Sequence, residues 1–186
     1  MRIAVYTGSF DPLHIGHLAI MKYLTEAAEF DMVYLIVSPQ NPFKSPEKAA
    51  NAAERFRAAV EAVGRHPELK VKVDDIELGM PAPQYTIRTL DALRRREPDN
   101  EFSLVIGADN LGDILKWREA PRLLREYGIS VYPRRGFDSE AIRRKVLDSG
   151  PEGSRIRLID APIVDISSTE IRRRQSEGED MSPFLM

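Results

Sequence analysis

Cysteine is absent from this 186-residue chain, tryptophan occurs once and histidine three times. Each scarcity excludes something. Without cysteine there is no disulfide, no thiolate nucleophile and no sulfur ligand for zinc, and nothing marks the chain for an oxidising compartment. Long apolar runs are missing too: Val33-Tyr34-Leu35-Ile36-Val37 lasts about five residues where a membrane helix needs roughly 20. Nor is there an excess of one charge. Lys and Arg number 27 against 29 Asp and Glu, a formal net charge of −2, so no overall field draws the chain to nucleic acid or to an anionic membrane. Small-molecule partners and a cytoplasmic setting are the expectation, and Met1-Arg2, running straight into an apolar strand, does not read as a signal peptide. The two commonest phosphate-binding motifs, GxxxxGKS/T and GxGxxG, are also absent.

What remains alternates regularly. Strand-like apolar runs fall near 2–6, 33–37, 71–76, 102–106, 129–132 and 156–159, several of them continuously apolar, as strands buried on both faces are. Helix-period stretches lie between them. Leu18, Met21 and Leu24 share one face, as do Ala52, Phe56, Ala59, Val60 and Val63, and then Ile87, Leu90 and Leu93. The length suits one domain over 1–186. The alternation predicts an α/β fold with a doubly wound parallel sheet covered by helices on both faces, whose ligands gather where the strand order reverses. Between Ser38 and Pro46 a polar, proline-punctuated segment reads as a lid.

Chemistry concentrates in two places. Gly8-Ser9-Phe10-Asp11-Pro12-Leu13-His14-Ile15-Gly16-His17 follows the first strand and opens a helix, which puts two imidazoles and free backbone N–H groups where anions are favoured. The same pair of histidines also fits a solvated loop or half of a metal site. About 150 residues later, Ile166-Ser167-Ser168-Thr169-Glu170-Ile171-Arg172 opens another helix with the Ser-x-x-Glu spacing of a capping box. Three hydroxyls and an arginine one turn in suit a polyphosphate, although a plain cap has the same spacing. Gly107-Ala108-Asp109 ends a strand and offers a carboxylate to a ribose or base. Trp117 fits either the core or a stacking platform. Tyr85-Thr86 begins a third helix, whose N–H groups could hold a small carboxylate.

Taken together, the His14-Ile15-Gly16-His17 segment and the Ser167–Arg172 segment resemble the two signatures of the HxGH nucleotidyltransferases, a Rossmann-like superfamily. The middle of the chain, through Pro83–Leu90, Val105–Leu111, Lys116-Trp117-Arg118 and Val131–Gly136, is similar to the bacterial nicotinate-mononucleotide adenylyltransferases. The resemblance implies transfer of the adenylyl group of ATP to nicotinate mononucleotide, giving deamido-NAD and pyrophosphate, with magnesium carried mainly by the phosphates and few or no protein ligands to it. It implies that His14 and His17 donate to the α-phosphate, that Lys44 swings in on the lid, and that Arg172 with Ser167, Ser168 and Thr169 holds the leaving pyrophosphate. Gly8, Ser9, Phe10, Gly16, Gly107 and Asp109 would complete the ATP site. Tyr85, Thr86, Trp117 and Arg134 would take the nicotinate nucleotide.

The chain departs from the family pattern in three places. Asn41-Pro42-Phe43-Lys44 lacks the histidine common before the lysine, Gln84 stands where serine is usual, and Arg135 stands for a proline. Many relatives also continue into a further helix past Met186. A sister enzyme acting on nicotinamide mononucleotide, phosphopantetheine or a cytidylyl-transfer substrate, or a nucleotide-binding regulator without turnover, would share the two phosphate signatures.

Overall fold

The computed structural model describes residues 1–39 and 51–186. Its elements run β1 (Arg2–Gly8), α1 (Ile15–Glu26), β2 (Met32–Val37), α2 (Ala52–Gly64), β3 (Val71–Asp74), α3 (Thr86–Arg96), β4 (Glu101–Gly107), α4 (Ala108–Leu111), α5 (Ala120–Arg122), β5 (Ile129–Tyr132), α6 (Ser139–Ser149), β6 (Ile156–Leu158) and α7 (Ser168–Ser176). All six strands pair in parallel, in the order β3-β2-β1-β4-β5-β6. The order reverses between β1 and β4, so the carboxyl ends of those two strands, Gly8 and Gly107, flank the crevice where such sheets bind ligands.

Burial on both faces explains the unbroken apolar strands. One face of β1, β2, β4, β5 and β6 packs against Ile87, Leu90 and Leu93 of α3, Leu111 of α4 and Val146 of α6. The other face packs against Met21 and Leu24 of α1 and Ala59 and Ala62 of α2. A third small cluster, Ile166, Ile171 and Met181, seats α7 beside Ile15 at the start of α1. That cluster brings the two ends of the sequence together.

The structure corrects two expectations. β3 stops at Asp74 instead of reaching 76, because the Asp74 carboxylate accepts the Ile76 N–H at 3.1 Å and turns the chain into a short 3₁₀ segment, Ile76–Gly79. On α2, Val60 is 45% exposed, and the buried face runs through Ala52, Arg55, Ala59 and Ala62, with Phe56 and Val63 half-buried at its margin. Arg55 takes the inner face because its guanidinium donates to three main-chain carbonyls, Ser9 at 2.8 Å, Ser38 at 2.9 Å and Pro39 at 3.1 Å. A buried cation is tolerated when its donors are satisfied, and here it pins the chain leaving β1 to the chain leaving β2. Most of the expected lid, with Lys44, lies outside the described residues.

Candidate active site

The turn out of β1 is shaped by Phe10. Its left-handed φ of 44° folds the ring back over Gly8, where a Cβ would meet ring carbons at 3.0–3.3 Å. The same ring meets His17 edge-on at 5.1 Å. Gly8 and Phe10 therefore hold the turn and one wall of the imidazole pair.

His14 and His17 cap α1 themselves. The Gly16 N–H donates to His14 Nδ1 at 3.1 Å, and the His14 N–H donates to His17 Nδ1 at 3.2 Å, a capping box built from two imidazoles. Gly16 is required for this: a Cβ there would stand 2.9 Å from His14 Cε1. Since each Nδ1 accepts, the proton of each neutral ring sits on Nε2. The rings stack with centroids 3.7 Å apart and planes 30° apart, a poor arrangement for two cations. Burial, then the nearby Arg134, lowers His14 to about 4; burial, then His14 and Arg134, holds His17 well below the usual histidine range. Near neutral pH the site thus offers two uncharged N–H donors.

α7 faces this pair. The Ser167 hydroxyl accepts the Glu170 N–H at 3.1 Å, completing the side-chain half of the expected capping box. Its reciprocal half does not form, and the Glu170 carboxylate lies 3.8 Å from Arg174 instead. The Ser168 hydroxyl donates to the Pro12 carbonyl at 2.9 Å, and Arg172 donates to the Asp11 carbonyl and to Thr169 Oγ1 at 3.3 Å. The bonds to Pro12 and Asp11 span more than 150 residues of sequence and lock α7 onto the loop that carries the histidines. The first N–H groups of α7, at Ser168 and Thr169, have no intrahelical acceptor.

A cleft of about 490 Å³ collects the result. It is lined by Ser9, His14, Gly16, His17, Asp109, Arg134, Ser167, Ser168, Thr169 and Arg172, with Tyr6 and Tyr132 beneath them. Ten of the residues singled out from sequence thus share one cavity. Arg134 Nε lies 3.3 Å from Asp109 Oδ1, which places it in the cleft with the histidine pair. Gly107 is free of a side chain because the Tyr132 ring and the Asp109 carboxylate occupy the space a Cβ would need.

Tyr85, Thr86 and Trp117 are not in that lining. Tyr85 and Trp117 pack half-buried on the opposite sheet face, against the α3 core, with the Arg88 and Arg118 guanidinium groups 5.3 Å and 5.7 Å from the Tyr85 ring. Tyr85 is the N-cap residue of α3, and no side chain caps it. Its own N–H donates to the Pro83 carbonyl at 3.0 Å, and the Arg88 and Thr89 N–H groups turn back to the Tyr85 carbonyl. Among the described residues the open pair of donors is consequently Thr86 and Ile87, one residue later than expected from sequence.

Sequence reasoning missed Arg55, Tyr6 and Tyr132. Arg55 had a signal, a cation at i+3 in an apolar helix stripe. The tyrosines had none beyond their place in strands; their rings meet edge to face at 5.9 Å across β4, and burial raises both hydroxyls above the usual tyrosine range.

A parallel sheet that reverses beside an imidazole pair and a hydroxyl-rich helix start defines a Rossmann-like, nucleotide-handling α/β protein. The cytidylyltransferase-like family model matches residues 5–174. Proteins named probable nicotinate-nucleotide adenylyltransferase are similar over almost the whole chain: one from Flavobacterium johnsoniae is 38% identical over 185 residues, covering 100% of this chain and 92% of the relative. Another, from Bacteroides fragilis, is 37% identical over 184 residues, covering 99% and 87%. The fold matches that of the Plasmodium falciparum nicotinic acid mononucleotide adenylyltransferase complexed with NaAD, at a TM-score of 0.77 and 20% identity over 99% of this chain and 90% of that one. The chain belongs to the cytidylyltransferase-like family and, within it, to the nicotinate-nucleotide adenylyltransferases.

Proposed function

We propose that this protein transfers the adenylyl group of ATP to nicotinate mononucleotide, releasing pyrophosphate and forming the deamido form of NAD, and that the whole chain works as one domain in the cytoplasm. The observation that carries the reading is the meeting of His14, His17, Ser167, Ser168, Thr169 and Arg172 in one cleft at the reversal point of the sheet.

The acceptor is a phosphate monoester, largely dianionic at neutral pH since its second pKa is about 6, so no base has to create the nucleophile. Its oxygen attacks the α-phosphorus, the bond from that phosphorus to the α–β bridging oxygen breaks, and pyrophosphate leaves with the electron pair. The chain's work is alignment and charge stabilisation. In this reading the neutral Nε2–H groups of His14 and His17 donate to the α-phosphoryl oxygens as charge grows there. Arg172, with the hydroxyls and open N–H groups at the start of α7, holds the β and γ phosphates, for which it exchanges its bonds to Asp11. Lys44 is assigned to the same polyphosphate. Gly8, Ser9, Phe10 and Gly16 shape the turn around the phosphates, and Gly107 and Asp109 face the adenosine. On the other flank of β1 and β4, the Thr86 and Ile87 N–H groups receive the acceptor's carboxylate, Trp117 stacks on its ring, and Arg134 reaches a phosphate between the two halves.

Magnesium would be held mainly by phosphate oxygens and water, and it would supply charge neutralisation on the triphosphate. Among the described residues no group of three His, Asp or Glu side chains could hold a metal, and no residue of this chain is assigned to it. No described helix is long and apolar enough to cross a membrane.

The test is pyrophosphate release from ATP and magnesium with a panel of acceptors: nicotinate mononucleotide, nicotinamide mononucleotide and phosphopantetheine. Release with nicotinate mononucleotide and identification of the dinucleotide support the reading. Turnover with phosphopantetheine alone transfers the protein to a sister activity, and no release with any acceptor leaves a nucleotide-binding regulator.

A further inference from the structure

A second hollow lies apart from the cleft. It measures about 640 Å³ and lies at the opposite, amino-terminal edge of the sheet, where Arg2 of β1, Glu101 of β4, Ile129 of β5 and Ile156 of β6 begin their strands. Its origin is visible in the strand pattern. Ser130 pairs with Val105 on one side and Arg157 on the other, and Ser103 precedes Val105 by two, so Ser103, Ser130 and Arg157 face the same way. That is the face on which α1 and α2 pack over β2 and β3. Toward the carboxyl edge the corresponding positions are apolar or aromatic, Val105, Tyr132 and Ile159, and join the core. At the amino edge they turn polar.

Four arginines, Arg2, Arg94, Arg155 and Arg157, line this hollow against two glutamates, Glu101 and Glu126. Glu126 is already taken by Arg94 at 3.1 Å and by Arg122 at 2.8 Å. Arg155 and Arg157 have no carboxylate partner among the described residues; they are anchored on main-chain carbonyls instead. Arg155 donates to Arg125 at 3.1 Å and Glu126 at 2.7 Å, and Arg157 to Ala28 at 3.2 Å. A guanidinium has five N–H donors and one or two are used here, so the charge is held in place with donors to spare. On the floor, Ser130 lines the hollow and is 2% exposed. A hydroxyl on the floor of a cationic hollow complements an oxyanion.

We propose that this amino-edge hollow is a second anion site, which binds the phosphate group of a small phosphorylated molecule through Arg157, Arg155 and Ser130, about 20 Å along the strands from the cleft. Its volume falls in the range of roughly 300–1,000 Å³ that small-molecule sites span, so the phosphate can belong to a free anion or to a nucleotide.

The experiment is amide NMR on the full chain, titrated separately with inorganic phosphate, adenosine monophosphate, adenosine and sodium chloride at matched ionic strength. Phosphate and adenosine monophosphate are expected to shift the Ser103, Ser130 and Arg157 amides in a saturable way, apart from shifts at Gly16 and His17, while adenosine and chloride leave them still. Tighter binding of adenosine monophosphate than of phosphate identifies a nucleotide as the source, and equal binding identifies the free anion. Arg157→Gln is expected to weaken the amino-edge response about tenfold or more, the scale of one charge-assisted hydrogen bond, and leave the cleft shifts and adenylyl transfer without added effector unchanged. Ser130→Ala, which removes only the hydroxyl, weakens it in the same direction. Amino-edge amides that stay still with phosphate, that move equally with chloride, or that respond undiminished in both variants overturn the proposal.

Discussion

α1 and α3 both begin at the carboxyl edge of the sheet, on opposite faces, and their first turns are built in contrary ways. α1 satisfies its own backbone: His14 and His17 accept its N–H groups and turn their Nε2–H sides outward as donors. α3 has no side-chain cap and leaves the Thr86 and Ile87 N–H groups open. One helix start presents side-chain donors that can be placed to within a rotamer; the other presents main-chain donors fixed by the helix itself. The difference suits two tasks. Charge that appears only in a transition state is met by preorganised donors whose own lone pairs are spoken for. A carboxylate that is charged throughout is met by a helix N-terminus, where two neighbouring N–H groups match its two oxygens.

The sharpest way to break the contrast is to remove a donor from α1. His17→Ala is expected to lower kcat by about 100–1,000 times, the scale of one transition-state donor, with a small change in ATP affinity measured by calorimetry without acceptor. Equal losses in kcat and in affinity would reduce His17 to a binding group. Arg172→Ala comes next and should do the reverse. It removes a charge-assisted contact and unties α7 from Asp11, so ATP affinity is expected to fall by about 10–100 times, with a smaller effect on kcat at saturating ATP.

The α3 side is tested through the acceptor. A carboxamide brings an N–H₂ group to a place built of donors, so nicotinate mononucleotide is expected to exceed nicotinamide mononucleotide in kcat/KM by about 10–100 times. Comparable efficiency with both would remove the assignment of Thr86 and Ile87 and leave the α1 side intact. Trp117→Ala is expected to raise the KM for the acceptor by about tenfold, through loss of a stacking face, and to leave the KM for ATP unchanged.

The contrast between the two helix starts was only half legible in the sequence. Strand positions could be read closely, because continuous apolar runs leave few alternatives when both faces are buried. His14-Ile15-Gly16-His17 and Ser167–Arg172 stood out by composition, yet nothing local says that an imidazole accepts its own helix's N–H groups. That depends on Gly16 leaving room for the His14 ring. The register of the free donors on α3 was displaced by one residue because the Tyr85 N–H is consumed by Pro83, a turn contact outside the helix period. Arg55 was hidden for the opposite reason. Its partners, the carbonyls of Ser9, Ser38 and Pro39, carry no side-chain identity at all.

The smallest expected effect separates the two ends by pH. His14 titrates near 4 and His17 well below its usual value in the folded chain, mainly because burial opposes the charged form, whereas an unfolded histidine titrates near 6.5. Between those values the unfolded chain binds protons that the folded chain refuses, so the contribution is whole above about 6.5 and is lost as pH falls toward 4. The open end of α3 has no titrating cap. Melting temperature is therefore expected to decline between pH 7 and 5, by about 2–4 °C for each kcal/mol lost, with amide exchange quickening at Gly16 and His17 before it quickens at Thr86 and Ile87. His14→Asn keeps a capping acceptor that does not titrate and should flatten the slope. If the slope persists unchanged in His14→Asn, the depressed titration of the pair is not what sets the acid limit of the fold.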